Sequence, residues 1–312
     1  MKIILAGGNG SLGRRLSENL SPEHDIAILT REPRPGSSVR QIPWDAVHVD
    51  DWARELEGPE TAVINLAGKL VDCRPTAQNI AELADSRVKA TQAIVRASQQ
   101  LSAPLAHWLQ ASTTAIWSDA GETRCTETTP LPDRGLAQMT GVARAWEEAF
   151  AGANTEHGVV LRTSIVLDPD SPALSRLVAL TKYGVGGTVG AGTQWFSWIH
   201  LSDWLAVVRA SLGLTPGLHI RSGVVVAAAP HPVRNRELMA ALRALLHRPG
   251  VATPALLLKL GAIVLRTDAA LGLTGRYVTS EVLDEAGFVF EHPRLTEALA
   301  DLLQPEPSAR SI

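Results

Sequence analysis

Residues 1–16 read MKIILAGGNGSLGRRL, and this stretch decides how the rest of the chain is read. Lys2–Ala6 is a short apolar run, the right length for one buried parallel strand. Gly7, Gly10 and Gly13 follow three residues apart, and Ser11, Leu12, Arg14, Arg15 and Leu16 continue as a helix. A strand that turns on glycines into a helix N-terminus is a way of holding a phosphate. The glycines let the backbone approach closely, and the free N–H groups and helix dipole meet the negative charge. The spacing is G-x-x-G-x-x-G rather than G-x-G-x-x-G, but its place directly after a strand is the context the motif requires. Gly7, Asn9, Gly10, Ser11, Leu12 and Gly13 are therefore the candidate cofactor cradle, against the alternative of a plain strand–helix turn.

Working outward, a second strand covers Asp25–Thr30 and ends in Thr30-Arg31. In a dinucleotide-binding unit an acid about 20 residues past the glycines grips the ribose 2′-OH of NAD, whereas an Arg suits the 2′-phosphate of NADP. Arg31 stands 18 residues after Gly13, and no acid occupies the strand end. Arg31 and Arg34 can each donate paired hydrogen bonds to phosphate oxygens, so the cofactor reading is NADP(H); the competing reading is two solvated loop arginines. A third strand is expected over residues 46–49, then a short helix over 51–56, where Asp50 or Asp51 either touches the adenine or caps the helix. A fourth strand over 61–66 leads to Ala67 and Gly68, small residues past which a dinucleotide ribose would run, so Leu66, Ala67 and Gly68 join the candidate cofactor contacts. Helices over 80–100 and 135–153 alternate with strands over 104–110 and 158–162. That alternation predicts an α/β fold, a Rossmann-like doubly wound parallel sheet.

After residue 168 the rhythm changes. Pro172–Lys182 reads as a helix, residues 183–192 (YGVGGTVGAG) as a loop or hairpin, and 193–198 as TQWFSW. A helix to about Leu214, a strand over 223–229, helices starting near Asn235, Pro254 and Thr279, and a last helix from Thr296 complete the chain. The expected division is a Rossmann domain of residues 1–168 plus about 196–229. A smaller, mainly helical C-terminal substrate lobe would take 169–195 plus 230–303, with a flexible tail at 304–312.

The composition excludes several classes. A net charge of −3 and a pI near 6.3 give no basic excess for nucleic acid or a membrane surface. Cys73 and Cys125 form neither a disulfide framework nor a C-x-x-C zinc pattern, so no metal is expected and the setting is a reducing cytoplasm. The first apolar run ends at Gly7, too early for a signal peptide. The apolar region 255–273 is interrupted by Lys259, Arg266 and Asp268 and reads as buried helix rather than a membrane span.

Several stretches together resemble one family. They are the glycine start, Thr30-Arg31, VINLAG at 63–68, Trp146-Glu147, QWFSWIH at 194–200, Asn235 after Pro232-Val233, and EAGFVF at 285–290. The chain resembles the atypical extended short-chain dehydrogenase/reductases, and within them the epimerase family branch with the C-terminal domain of unknown function 1731. The resemblance runs from Met1 to Leu303 and implies a Rossmann fold, NADP(H) and a substrate lobe built mainly from the C-terminal part. Extended reductases of this kind use a Tyr-x-x-x-Lys pair, in which the tyrosine moves a proton and the lysine lowers its pKa. Aligned on Glu147, the tyrosine position is Met139 and the lysine position Ala143, and neither carries a proton. The branch's Arg-Trp pair stands here as Arg74-Pro75, and its aromatic pair and glycine as Ile116, Trp117 and Ser118.

The superfamily's serine aligns with Thr113, beside Ser112. Either hydroxyl is the candidate catalytic group that orients a substrate carbonyl, or each merely satisfies backbone at a strand end. Gln194, Trp195, Arg74 and Trp117 are the candidate substrate contacts. His200 and Asp203 are expected to be structural, the histidine bonding backbone and the aspartate capping the next helix; acid/base work by His200 is the alternative. Arg162 is either a buried ion-pair partner or an anion clamp. The reading is an NADP(H)-dependent oxidoreductase or epimerase-like enzyme of atypical mechanism acting on a small molecule. The alternative is an NADP(H)-binding protein without turnover, a redox sensor or docking module. Extended reductases often dimerise through helices like those at 80–100 and 135–153, so a homodimer is a possible assembly.

Overall fold

A computed structural model describes residues 1–252, 254 and 268–304. Seven parallel strands form the sheet: β1 (Lys2–Ala6), β2 (Asp25–Thr30), β3 (Arg40–Pro43), β4 (Thr61–Asn65), β5 (Leu105–Thr113), β7 (Thr155–Thr163) and β11 (Gly223–Ala227). Their order is β11-β7-β5-β4-β1-β2-β3. β1 pairs with β2 on one side and β4 on the other, so the chain winds outward in both directions from the β1–β4 boundary. In such a sheet ligands bind beyond the carboxyl ends of the strands at that boundary.

The continuous apolar run of β1 has a direct cause: both faces of the sheet are covered. Ile3 and Leu5 join one core with Leu16 and Leu20 of α1 (Ser11–Leu20) and Trp204, Val207 and Val208 of a later helix. Ile4 and Ala6 join the other with Ala90, Ala93, Ile94 and Ala97 of α2 (Ala77–Ser98). Alternate residues thus serve opposite faces. α2 begins on Thr76, whose hydroxyl accepts the Asn79 amide at 3.2 Å.

The third strand lies earlier than the apolar run suggested. Residues 46–49 are not a strand, and Ala46 sits at φ +66°. β3 is instead Arg40–Pro43, an edge strand paired only with β2, so its polar side chains meet solvent. The helix expected over 135–153 is shorter. Ala137–Gly141 winds as a π-helix and leads into α3 (Val142–Glu148).

The remaining elements are two-residue or three-residue strands and helices. They are β6 (Arg124–Cys125), β8 (Ile165–Leu167), α4 (Pro172–Lys182), β9 (Trp195–Phe196), β10 (Trp198–His200), α5 (Leu201–Ser211), β12 (Val233–Arg234) and α6 (Asn235–Leu246). α7 (Ala270–Leu273), β13 (Tyr277–Val278), α8 (Glu281–Glu285) and α9 (Leu295–Leu303) follow. α4, α6 and α9 bury Leu174, Leu238, Met239, Leu242, Leu295 and Leu299 around Trp198. The helix expected from Pro254 and the tail beyond Gln304 fall mostly outside the described residues. Among the described residues no helix is long and apolar enough to cross a membrane.

Candidate functional site

A cleft of about 760 Å³ opens at the carboxyl ends of β1, β2 and β4. Gly7, Asn9, Gly10, Thr30, Arg31, Leu66, Ala67 and Gly68 all line it. Gly7 has φ +82°, and a Cβ there would lie 2.7 Å from the Leu66 carbonyl carbon and 2.9 Å from the Ala67 amide. The turn after β1 can touch the exit of β4 only because residue 7 has no side chain. A Cβ at Gly13 would lie 2.5 Å from the Gly7 carbonyl, so the first turn of α1 packs directly on the glycine loop. Ser11, Leu12 and Gly13 form that turn. No side chain caps it, and no acid sits in it. The helix therefore presents amide donors and the positive end of its dipole with no internal anion to meet them. A cradle that a Cβ would fill, beside an uncapped helix start, suits a dinucleotide pyrophosphate.

The floor of the cleft is braced. Asn9 Nδ2 donates to Thr30 Oγ1 at 2.8 Å, and Asn9 Oδ1 accepts from Gln41 Nε2 at 3.3 Å. Asp45 lines the far wall. Amides of Val47 and His48, both 2.8 Å away, and the His48 ring hold its carboxyl down at about 2.

A second cavity, of about 220 Å³, lies at the carboxyl ends of β5 and β7. Thr113, Gln138, Met139, Ala143, Trp146, Asp268 and Arg276 are in its wall, with Arg87 of α2. The cavities adjoin through Arg87, whose guanidinium donates to the Lys69 carbonyl at 2.9 Å; Lys69 lines the first cleft. Burial pulls the Arg87 pKa down to about 10. Its guanidinium sits 5.0 Å over the Trp146 ring, and the Trp146 indole N–H is buried with no hydrogen-bond acceptor.

Residues 3–214 match the model of the NAD dependent epimerase/dehydratase family, and residues 253–302 match a domain of unknown function, DUF1731. The chain belongs to the NAD dependent epimerase/dehydratase family. The Epimerase family protein SDR39U1 homolog, chloroplastic, of Arabidopsis thaliana is 30% identical, over 97% of this chain and 87% of its own. The human Epimerase family protein SDR39U1 is 27% identical, over 97% of this chain and 100% of its own. A crystal structure of human SDR39U1 (isoform 2) with NADPH superposes with a TM-score of 0.84 at 26% identity, covering 98% of this chain and 100% of that one. MoeE5 in complex with UDP-glucose and NAD shares the fold, with a TM-score of 0.74 at 22% identity, over 97% of this chain and 98% of that one.

Within this epimerase-family frame, the expected residues fall into three groups. Gly7, Gly10, Asn9, Thr30, Arg31 and residues 66–68 line the cleft, whereas Ser11, Leu12 and Gly13, in the first turn of α1, are outside its lining. Arg34 does not. It lies on a neighbouring depression with Arg14 and Ser37, and its backbone amide donates to Gln41 Oε1 at 2.6 Å. Asp50 and Asp51 are absent from the cleft lining, and Asp45 stands there instead. Trp44, Ser86 and Lys89 also line it and carried no signal in the sequence.

Thr113 reaches the second cavity. Its Oγ1 accepts the Ala115 amide at 3.1 Å, which leaves the hydroxyl its own donor. Met139 and Ala143, the positions aligned with the missing tyrosine and lysine, also line the cavity. Ser112 projects to the opposite side of β5 from Thr113. Its hydroxyl donates to Glu147 Oε1 at 2.5 Å, and Arg162 grips both oxygens of the same carboxylate at 2.9 Å. Arg162 is thus the buried ion-pair partner. Its guanidinium lies 4.9 Å from the Trp117 ring centroid, and Trp117 sits outside the cavity wall. Glu147, used in the sequence only to align the helix, proves to be the centre of this triad.

Gln194 and Trp195 also lie outside both linings. Gln194 Nε2 ties Val189 and Gly272 carbonyls together at 3.2 and 2.8 Å. Trp195 stacks on Tyr277 at 4.6 Å beneath the Arg234 guanidinium at 3.8 Å, and its indole N–H donates to Glu122. Arg74 is exposed between Cys73 and Pro75, which do line the second cavity. His200 bonds backbone as expected: its Nδ1 accepts the Ser202 amide at 3.1 Å and caps α5. Asp203 does not cap that helix. It accepts the Glu291 and His292 amides at 2.7 and 3.1 Å and anchors the chain ahead of α9.

Proposed function

We propose that the chain binds NADP(H) in the larger cleft and works as an oxidoreductase or epimerase-like enzyme on a small carbonyl or hydroxyl compound in the adjoining cavity. The observation that carries this reading is the uncapped start of α1 behind Gly7, opening on a cleft whose rim bears Arg31. Gly7, Gly10 and the first-turn amides of α1 hold the pyrophosphate, and Arg31 holds the 2′-phosphate. A bound nicotinamide supplies or accepts hydride. Thr113 orients the substrate oxygen with its hydroxyl. Asp268 takes over proton handling; it is the one carboxylate among the described residues of the cavity wall. Its two oxygens accept from Gln138 Nε2 and the Ala270 amide, each at 2.9 Å, which fixes the carboxylate in place. The expected setting is a reducing one, the cytoplasm, consistent with two free cysteines.

A second reading, NADP(H) binding without turnover, draws on Met139 and Ala143, neither of which can move a proton. One experiment separates the two. Fluorescence titration with NADPH and NADH is followed by absorbance of bound NADPH against a panel of carbonyl compounds. Oxidation by at least one compound, slowed in Asp268→Asn, supports the enzyme; tight binding with no oxidation across the panel favours the second reading. Tighter binding of NADH than NADPH overturns the role given to Arg31.

A further inference from the structure

Away from both cavities, the end of β10, the chain before α9 and α9 itself bring His200, His292 and Asp301 together. One ligand atom from each lies within 4.8 Å of the others. His200 Nε2 is 3.2 Å from Asp301 Oδ2, and the two imidazole rings lie 3.9 Å apart between centroids. His200 is only 5% exposed, and its Nε2 is buried without a hydrogen-bond partner. Its nearest partner is the Asp301 oxygen, at ion-pair distance. A buried ring nitrogen left unmet, aimed at a second imidazole and a carboxylate, asks for a ligand.

We propose that His200, His292 and Asp301 hold a divalent transition-metal ion of the zinc type. Two imidazoles and one carboxylate form a ligand set that zinc accepts, with a remaining position for water. Asp301 is 54% exposed, so the site opens to solvent on that side and its carboxylate has the rotamer freedom to close onto an ion.

The surrounding groups suit the role. Ser202 Oγ lies 2.8 Å from His200 Nδ1. Without metal, Nδ1 accepts the Ser202 amide and Nε2 carries the proton. With metal on Nε2, the proton sits on Nδ1 and donates to Ser202 Oγ, the outer hydrogen bond that ligating histidines commonly make, and the Ser202 amide gives up its bond to Nδ1. The exchange is a tautomer shift within one neutral ring, so His200 releases no net proton. Asp203 fixes the backbone of Glu291 and His292 and so holds the second imidazole in place. An ion here would staple α9 to the start of α5. The three ligands are 92 and 9 residues apart in sequence, so no spacing motif announces them.

The test uses the untagged full chain, stripped with EDTA and titrated with zinc chloride by calorimetry, alongside Asp301→Asn and His292→Phe. Cobalt(II) absorbance reads the coordination directly. The expected result is one zinc per chain, a Tm that rises with zinc, and binding weakened roughly tenfold or more in either variant with circular dichroism unchanged. Asp301 is exposed, so its variant carries the test even where His292→Phe disturbs folding. Zinc uptake equal in wild type and Asp301→Asn, or none in either, overturns the proposal.

Discussion

Glu147→Ala removes the centre of a buried polar triad, and the structure sets the size of the effect. The Arg162 side chain is 6% exposed and that of Glu147 15%. Glu147 takes two N–H bonds from Arg162 and one O–H bond from Ser112. Without it the guanidinium stays buried over Trp117 with no counter-charge, and removing one partner of a buried pair costs about 3–5 kcal/mol. The residual exposure of Glu147 lets water approach the cavity left behind, which places the expected loss near the lower end, about 3 kcal/mol. The assay is urea unfolding followed by tryptophan fluorescence, read as a fall in midpoint at constant slope. The double variant Glu147→Leu with Arg162→Met removes both charges and should recover most of the loss, because an apolar pair of similar volume replaces a buried ion pair at little cost. A loss below about 1 kcal/mol for Glu147→Ala, or a double variant no better than the single one, refutes the argument, since either puts the triad in contact with bulk water.

Gly7→Ala meets both a positive φ and a fixed backbone 2.7 Å away, and should lower stability by about 3 kcal/mol and collapse NADPH affinity. Gly36→Ala is the control: its φ is +78°, but nothing lies within 4 Å, so only about 1 kcal/mol is lost and NADPH affinity holds, both read by thermal melts and titration. Burial lowers the pKa values of His24, His107, His157 and His200 below 6.5. The unfolded chain therefore binds protons first as the pH falls. Stability from these residues is complete above pH 6.5 and declines as the pH drops from there toward their folded values, which chemical denaturation across pH 5 to 8 checks.

The fold was legible wherever a strand is covered on both faces. The central strands β1, β2 and β4 read as unbroken apolar runs because no face meets water. β3 was misplaced because the opposite holds: an edge strand of composition RQIP has no apolar signature, while the nearby residues 46–49 (AVHV) are mostly apolar without pairing. β5 runs on to Thr113 because its polar end still pairs with β7, Ser112 opposite Arg162 and Thr113 opposite Thr163. In the candidate site, Gly7, Gly10, Arg31 and residues 66–68 each sit within a few residues of a strand end and line one cleft. Gln194 and Trp195 line neither cavity, because their side chains engage Gly272, Arg234 and Tyr277, which only the tertiary fold brings near. Glu147 with Arg162, and Asp268 with Gln138, are likewise joined across 15 and 130 residues, beyond the reach of spacing.

The most direct measurement is a paired fluorescence titration of wild type and Arg31→Ala with NADPH and NADH. Arg31 is exposed on the cleft rim, and in the proposed function it would bond the 2′-phosphate that only NADPH carries, so its removal would leave the pyrophosphate cradle intact. Wild type should prefer NADPH by roughly tenfold or more, Arg31→Ala should lose most of that preference, and NADH affinity should barely change. Equal affinity for the two cofactors in wild type, or a preference that survives in Arg31→Ala, would contradict the role given to Arg31.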